Sequence, residues 1–527
     1  MTNHSAATPA SPDASRYLPL LLILFAGSGC SSLIYEIVWY QLLQLAIGST
    51  AVSMGFLLAT FMGGLCLGSL GLPRLRAAAK QHPLRIYALL EMGIGILGVL
   101  VLWGLPLIDR VYVAGAEHGL PGMLLRGFIS AVCLLPPTIL MGASLPAIAG
   151  WIKSTPRGVS WWGLLYGVNT VGAVFGCLLA GFYLLRIYDM AVATYWAVAI
   201  NFLVALFSFW LSRRTPAEFT AAEVPGDPME AAVEDAGSNW PVYVTTAISG
   251  ACALGAEVVW TRLMGMLLGS TVYVFSIILA VFLIGLALGS TAGAWISRSV
   301  RPRLALGWCQ VLLAGAIAWS AFMIADSLPY WPINPLLSVN PWYTFQLDMA
   351  RVLWAILPPT LLWGASFPLG LAAIAGPGKA SGEVVGSVYA ANTFGAILGA
   401  LGVSLVLVPS VGTQDSQRVL LLLSAVSGLF VLVPYISEKK AMISALLLGG
   451  SMVGAIMLAK GLDPIPGKLI AYGRRIAISA ASSKILYTAE GRNSSVAITQ
   501  WNDGAVEKAA TPRWPSRSGT MARWRWT

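Results

Sequence analysis

The chain of 527 residues is 57% hydrophobic, and only 10% of its residues are charged. Roughly a quarter of the residues in a soluble domain are charged, so this composition excludes an ordinary soluble protein and indicates a protein of the lipid bilayer. The net charge of +10 comes from basic residues in the short loops between apolar segments. It therefore reports on membrane orientation and does not indicate a nucleic-acid partner.

Apolar segments follow one another along almost the whole chain. Crossing a hydrocarbon core takes about 20 helical residues, and thirteen segments come close to or exceed that length. In chain order they cover residues 18–47, 51–72, 86–108, 124–152, 160–185, 188–212, 241–268, 271–296, 304–325, 350–375, 384–408, 419–436 and 441–459. The sequence therefore predicts an all-α polytopic membrane protein.

Lysine and arginine are distributed unequally between the two sets of loops. The loops on the side of the N-terminus hold fourteen of them, and the loops on the opposite side hold three. Because basic loops stay in the cytoplasm, we expect the N-terminus there. With thirteen spans, the C-terminal tail is then expected on the outer side.

The chain contains an internal repeat. Residues 28–69 align with residues 249–290 without a gap and are identical at 18 of 42 positions. Two further blocks return in the same order, residues 135–146 as 357–368 and residues 166–173 as 389–396. Because each copy holds six spans, both copies have the same orientation and form a parallel repeat.

These observations divide the chain into seven parts. They are an N-terminal tail (1–17), repeat A (18–212), a cytoplasmic connector (213–240), repeat B (241–436), a thirteenth span (437–460), a short β stub (461–506) and a tail (507–527). Six plus six helices in parallel resemble the major facilitator superfamily, in which helices 1, 4, 7 and 10 line a central cavity. Helices 2, 5, 8 and 11 each carry Gly-x-x-x-Gly, a spacing that lets two helices approach closely.

Glutamates in the first and seventh spans are the main candidates for a ligand site. Glu36 precedes Trp39 by three residues, and Glu257 precedes Trp260 by three, so each carboxyl group shares a helix face with an indole. A charged side chain inside a span costs about 2.5–3.5 kcal/mol on insertion scales. We therefore expect a cavity that binds a small cation, with cation–π contacts from the indoles.

A structural role for these residues is the alternative. The glutamates would then accept hydrogen bonds from neighbouring helices or pair with Arg262 or Arg126. Asn169 and Asn392 are polar residues in the middle of spans, where an asparagine either joins two helices or contacts a ligand.

Double prolines interrupt the fourth and tenth spans. Pro136 and Pro137 in repeat A, and Pro358 and Pro359 in repeat B, remove backbone donors and leave earlier carbonyl groups without partners. Inside a membrane this is tolerated beside protein or a watery cavity. We expect these prolines to set kinks.

Other polar residues favour structural roles. Glu91 and its counterpart Gln310 lie towards the ends of their spans, where a polar side chain reaches the interface cheaply. All six cysteines lie in apolar spans, and the three histidines lie in tails or loops without ligand spacing. We expect no metal site.

The tail after the last span changes to short alternating strands at 484–487 and 495–501, followed by a turn at 502–504. This tail, with its Glu-Gly-Arg-Asn-Ser-Ser run at 490–495, and the repeated blocks resemble bacterial membrane-fused spermidine-synthase-like proteins. The resemblance implies a transporter-like membrane region that precedes a polyamine aminopropyltransferase domain, in the bacterial inner membrane. Decarboxylated S-adenosylmethionine would be a substrate of that domain.

The elements of an aminopropyltransferase are not found in the residues after the last span. Such an enzyme needs a Rossmann-like domain with a Gly-rich turn and acidic residues for its substrates, so no catalytic residue or cofactor is assigned to this chain. Residues 507–527 hold three Trp and four Arg without apolar periodicity. They resemble a gene read in a shifted frame, and the alternative is a basic tail on the membrane surface.

Three functional hypotheses follow. The first is the membrane region of a spermidine-synthase-like fusion whose enzyme domain is truncated, with a membrane part that binds or moves a polyamine or another small cation. The second is a secondary transporter of the major-facilitator type. The third is a membrane anchor that does not transport.

Overall fold

The structure of the chain is a computed structural model. It describes residues 17–47, 50–79, 81–113, 120–149, 151, 156–215, 238–297, 299–331, 340–374, 381–435, 441–476, 483–491, 494–501 and 506–511. Eleven helical segments in these residues are long and apolar enough to cross a membrane, and the one at Ser387–Leu432 contains two helices. The chain is a multi-pass membrane protein.

Repeat A consists of six helices. They are α1 (Leu18–Ile47), α2 (Thr50–Ala79), α3 (Pro83–Val113), α4 (Leu120–Ala149), α5 (Pro156–Leu179) and α6 (Met190–Ser212). A π-helical turn at Ala180–Leu184 and a last turn at Leu185–Ile187 extend α5. Asp189 caps α6 by accepting a hydrogen bond from the amide of Val192.

Repeat B has the same order. Its helices are α7 (Trp240–Leu268), α8 (Val272–Ile296), α9 (Pro302–Phe322), α10 (Pro341–Ile374), α11 (Ser381–Gly402) and α12 (Val408–Leu432). A π-helical turn at Val403–Leu407 follows α11, as one follows α5. The chain bends at Gly412, whose φ of +82° is unfavourable for residues with a Cβ.

The tenth and twelfth spans begin about ten residues earlier than the sequence predicted, and α12 begins at Val408 instead of residue 419. Residues 350–375 were expected, and α10 begins at Pro341. The additional turns contain Asp348, which is buried beside Arg351 and is bound by Arg474 from the C-terminal segment. Because these opposite charges are paired, the helix can include polar residues that lie before the apolar segment, and the apolar pattern alone therefore predicted too short a helix.

The Gly-x-x-x-Gly motifs lie at close helix crossings. A Cβ at Gly68 of α2 would overlap the carbonyl oxygen of Ile139 in α4, and the matched Gly289 of α8 meets Leu361 of α10 in the same way. The motifs of α5 and α11 press against α1 and α7. The glycines therefore let each repeat pack its helices backbone to backbone.

The two repeats make their most extensive contacts through two helix pairs. Helix α2 packs against α11, and α5 packs against α8. The fold class expected from the sequence is confirmed: two parallel six-helix repeats followed by a further apolar helix, α13 (Ala441–Lys460), and a small β structure.

The C-terminal module is a short helix and a sheet. After α14 (Gly467–Tyr472) come β1 (Ser483–Glu490), β2 (Ser495–Trp501) and β3 (Val506–Thr511), which pair antiparallel in that order. The two predicted strands are present, and a third occupies residues that lacked apolar periodicity because its backbone pairs with β2. The tails 1–16 and 512–527 and the connector region 216–237 lie outside the described residues.

Candidate ligand site between the repeats

Two buried carboxyl groups, one from each repeat, lie near each other between α1 and α7. Glu36 is 6% exposed and Glu257 is 3% exposed. The two side chains are close enough to interact electrostatically. Glu257 Oε1 has no hydrogen-bond partner among the described residues. The fold thus brings together the two acids that the repeat singled out, and it closes them from solvent in this conformation.

The surroundings of the acids come from three helices of both repeats. Tyr40 of α1 lies one turn after Glu36, within electrostatic reach of Glu257, and its ring contacts that of Phe275 in α8 with centroids 4.2 Å apart. The thiol of Cys177 in α5 lies near both glutamates. Neither Tyr40 nor Cys177 carried a sequence signal, because only the fold places them beside the acids.

The tryptophans three residues after the glutamates face into their own repeats. Trp39 stacks on Tyr35 of the same helix, with centroids 5.3 Å apart. Trp260 packs against Trp363 of α10 at 5.6 Å, and its Nε1 donates to Gln417 Oε1 at 3.1 Å. Tyr40, which lies within electrostatic reach of Glu257, instead contacts the other repeat through Phe275.

Arg262 contacts the C-terminal sheet. Its guanidinium group donates to the carbonyl oxygen of Gly491 at 2.7 Å and to Ser495 Oγ at 3.0 Å. No ion pair joins it to Glu257 in the described structure, and the side chain of Arg126 lies outside the described residues. Arg262 therefore links α7 to the module that follows the last span.

The two asparagines lie at matched helix crossings. Asn169 Nδ2 donates to the carbonyl oxygen of Phe25 at 3.1 Å, and its backbone presses on Gly29, so it joins α5 to α1. Asn392 meets Gly250 of α7 in the equivalent place. These positions are at the faces where helices of one repeat touch.

The double prolines lie inside continuous helices, α4 and α10. In α10, Pro358 and Pro359 cannot donate to the carbonyl groups of Trp354 and Ala355, four residues earlier. Helix α9 supplies replacement donors. Trp319 Nε1 lies 2.9 Å from the carbonyl oxygen of Trp354, and Ser320 Oγ lies 2.7 Å from that of Ala355. For Pro136 and Pro137 in α4, the described residues show no matching pair of donors.

A second polar cluster lies inside repeat A, around Glu91. The side chain is fully buried, so it does not reach the interface as expected from its position in the sequence. Glu91 Oε1 lies 2.6 Å from Ser28 Oγ, and Oε2 lies 2.6 Å from Asn201 Nδ2. Sequence reasoning missed Asn201, whose signal was a polar amide in the middle of an apolar span.

The described residues contain no group of three or more metal-binding side chains. A small pocket lies elsewhere in repeat B, between the end of α9 and the start of α12, beside Asp326, Gln414 and Asp463. Chemically, the central pair offers two carboxyl groups of low exposure, and the described part of the chain shows no ion pair to either of them. Such a pair holds either a cation or protons, because two bare charges in a dry interior are costly.

Comparison with known proteins shows the fold. The chain matches no protein-family model and no curated protein. A solved bacterial homologue of the human lysosomal transporter Spinster, in an inward-facing and unoccupied conformation, aligns with a TM-score of 0.51 at 15% identity, over 86% of this chain and 96% of that chain. A bacterial metal transporter aligns with a TM-score of 0.50 at 12% identity, over 80% of this chain and 99% of that chain.

The chain therefore shares the overall fold of these two solved transporters. At these identities the alignments show the fold alone. The resemblance of the tail to aminopropyltransferases has no match in these comparisons and stays a hypothesis.

Proposed function

We propose that the chain is a secondary transporter of the major-facilitator type that binds a small organic cation between its repeats, at Glu36 and Glu257. The observation that carries the proposal is the pair of buried acids on α1 and α7, one of which has an oxygen without a hydrogen-bond partner among the described residues. A bound cation would satisfy both carboxylates, and an alternating movement of repeats A and B would expose it to either side.

The proposed substrate is a polyamine or a similar amine. An ammonium group forms strong hydrogen bonds with carboxylates and favourable contacts with aromatic rings, and Tyr40 lies beside the pair. We place the protein in the bacterial inner membrane. The distribution of charges in its loops favours an orientation with the N-terminus in the cytoplasm.

Binding of radiolabelled spermidine to the purified full chain in lipid nanodiscs tests the site. Glu36→Gln and Glu257→Gln should each weaken binding tenfold or more, about 1.4 kcal/mol, and the double variant should not bind. Asp415→Asn is the matched control, because Asp415 is half exposed and pairs with Arg418. Unchanged affinity in the double variant would contradict the proposal.

Two further measurements separate the substrate class from the transport activity. Binding of Mn²⁺ that depends on Glu36 and Glu257, with no binding of spermidine, would assign a metal cation to the site. Binding without uptake into proteoliposomes, with or without an ion gradient, would favour a membrane anchor that does not transport.

A fusion with an aminopropyltransferase is the second candidate function. It is supported by the antiparallel sheet at residues 483–511, which follows the last span and includes the motif that resembles that family. In this case the cation bound at the glutamates would be the substrate or product of the enzyme. Resequencing the gene from codon 495 onwards tests it: a second reading frame that encodes a Gly-rich turn after a strand is the expected result, and its absence would remove this candidate.

A further inference from the structure

The cluster around Glu91 joins four helices of repeat A. Ser28 of α1 and Asn201 of α6 bind the two carboxyl oxygens at 2.6 Å each, and Ser144 of α4 lies 3.4 Å from Oε1. Asn201 also bridges to Ser31 Oγ at 3.0 Å. Glu91 thus has partners on every helix that packs around it.

None of these partners carries a positive charge. The titratable groups that face Glu91 are Tyr87 on its own helix and Tyr35 of α1, which donates to Asn201 Oδ1 at 3.0 Å. Helices α4 and α6 contribute the neutral Ser144 and Asn201. Arg85, on the same helix, is exposed. Burial away from any cation disfavours the ionised form, whereas the donors from Ser28, Ser144 and Asn201 stabilise it, so opposing effects act on the two protonation states.

The network accommodates both protonation states. Ser144 Oγ can donate either to Glu91 Oε1 or to the carbonyl oxygen of Leu140 at 3.2 Å, and in the second case its lone pairs are free to accept from a protonated Glu91. Ser28 Oγ can donate to the ionised carboxylate or accept from the acid at the same distance. Within the cluster, both protonation states are therefore accommodated by rotation of hydroxyl groups, whereas exchange of the proton with either side of the membrane requires the helices to open, because Glu91 is fully buried.

Repeat B holds an uncharged version of the same site. Gln310 occupies the place that corresponds to Glu91, is fully buried, and accepts from Ser427 Oγ at 3.3 Å. The serines that correspond to Ser28 and Ser144 are Ser249 and Ser366, which lie 3.0 Å apart and bind each other. Gln310 cannot take up a proton, and its Nε2 has no hydrogen-bond partner among the described residues, so an ionisable group whose two oxygens are both bound distinguishes repeat A.

We propose that Glu91 is a reversible proton-binding site, separate from the central glutamates, through which a proton gradient drives this protein. The coupling rests on the proposed transport function, whereas the proton occupancy of Glu91 does not. The proton joins a carboxylate oxygen of Glu91 from one side of the membrane and leaves it towards the other, so no further reactant is consumed.

Infrared spectroscopy of the full chain in nanodiscs tests the occupancy. The carboxylic-acid C=O band is measured against pH in the wild type, in Glu91→Gln, and in the Glu36→Gln/Glu257→Gln variant. We expect one component of this C=O band to disappear in Glu91→Gln and to remain in the Glu36→Gln/Glu257→Gln variant. A spectrum unchanged by Glu91→Gln would overturn the proposal. Glu91→Asp, which keeps the acid, should shift the band, and it replaces the amide variant if that variant does not fold.

Uptake into proteoliposomes tests the coupling. In the wild type an inward proton gradient should raise spermidine accumulation at least tenfold, and in Glu91→Gln accumulation should be the same with and without the gradient. Accumulation in the variant that still follows the gradient would overturn the coupling. If the wild type moves no cation at all, the proposed function fails, and the infrared result still decides whether Glu91 binds a proton.

Discussion

Arg474 donates from one guanidinium nitrogen to both carboxylate oxygens of Asp348, at 3.1 Å each. Asp348 is 4% exposed near the start of α10, and Arg474 belongs to the segment after α14. The other terminal nitrogen of Arg474 lies 3.4 Å from the carbonyl oxygen of Leu268 at the end of α7. One side chain therefore joins the C-terminal module to two helices of repeat B.

Arg474→Ala should lower the free energy of unfolding by about 1–3 kcal/mol, because it leaves a buried carboxylate with Arg351 at 3.9 Å as its remaining basic partner. The unfolding equilibrium in mixed micelles measures this. The same change in an Asp348→Asn background should cost less. Equal costs in the two backgrounds would mean that the two residues do not stabilise each other.

Arg262→Ala should loosen the sheet without weakening cation binding. The change removes donors to Gly491 and Ser495, so backbone amides of β1 and β2 should exchange hydrogen faster. Hydrogen exchange followed by mass spectrometry, together with the spermidine affinity, checks both halves of the prediction. A tenfold loss of affinity would instead place Arg262 in the ligand site.

Gly55→Ala should destabilise the contact between the repeats by about 1–3 kcal/mol, because a Cβ there would overlap Ser404 Oγ beside α11. Gly71→Ala in the same helix is the control, since a Cβ at Gly71 meets no atom within 4 Å. The free energy of unfolding measures both. The reciprocal contact, Gly181 with Ser276, predicts the same sign for Gly181→Ala. Equal stabilities of the Gly55 and Gly71 variants would contradict this packing.

Ser320→Ala should cost about 1 kcal/mol, because Ser320 replaces the donor that Pro359 denies to the carbonyl oxygen of Ala355. Pro359→Ala restores that backbone donor, so Ser320→Ala should be close to neutral in the Pro359→Ala background. A double-mutant cycle on the free energy of unfolding measures the coupling. Additive effects would show that the hydroxyl group and the proline are unrelated.

The sequence by itself determined the membrane helices, their pairing into two repeats and the identity of the central acids. Apolar length predicts a span because every backbone group in lipid has to bond within its own helix. The repeat predicts that Glu36 and Glu257 occupy equivalent places. Local patterns also predicted β1 and β2, since alternation of side chains is a property of a strand alone.

Tertiary structure decided which groups face one another. Trp39 and Trp260 share helix faces with the acids, but both side chains pack inside their own repeats. Trp39 stacks on Tyr35, and Trp260 packs against Trp363 and donates a hydrogen bond to Gln417. Arg262 looked like a partner for a glutamate and binds the sheet instead. Helical periodicity predicts on which face of its own helix a side chain lies. The residue that the side chain contacts belongs to another helix, far away in the chain, and is decided by the packing.

Glu91 shows the same division most clearly. Its sequence position suggested an exposed end of a span, whereas Ser28, Ser144 and Asn201 converge on it from three other helices. Hydropathy reports the average cost of placing a residue in lipid, and a buried acid is tolerated when several neutral donors meet it. That convergence is created only when the helices pack, so it is a property of the fold and not of any one segment.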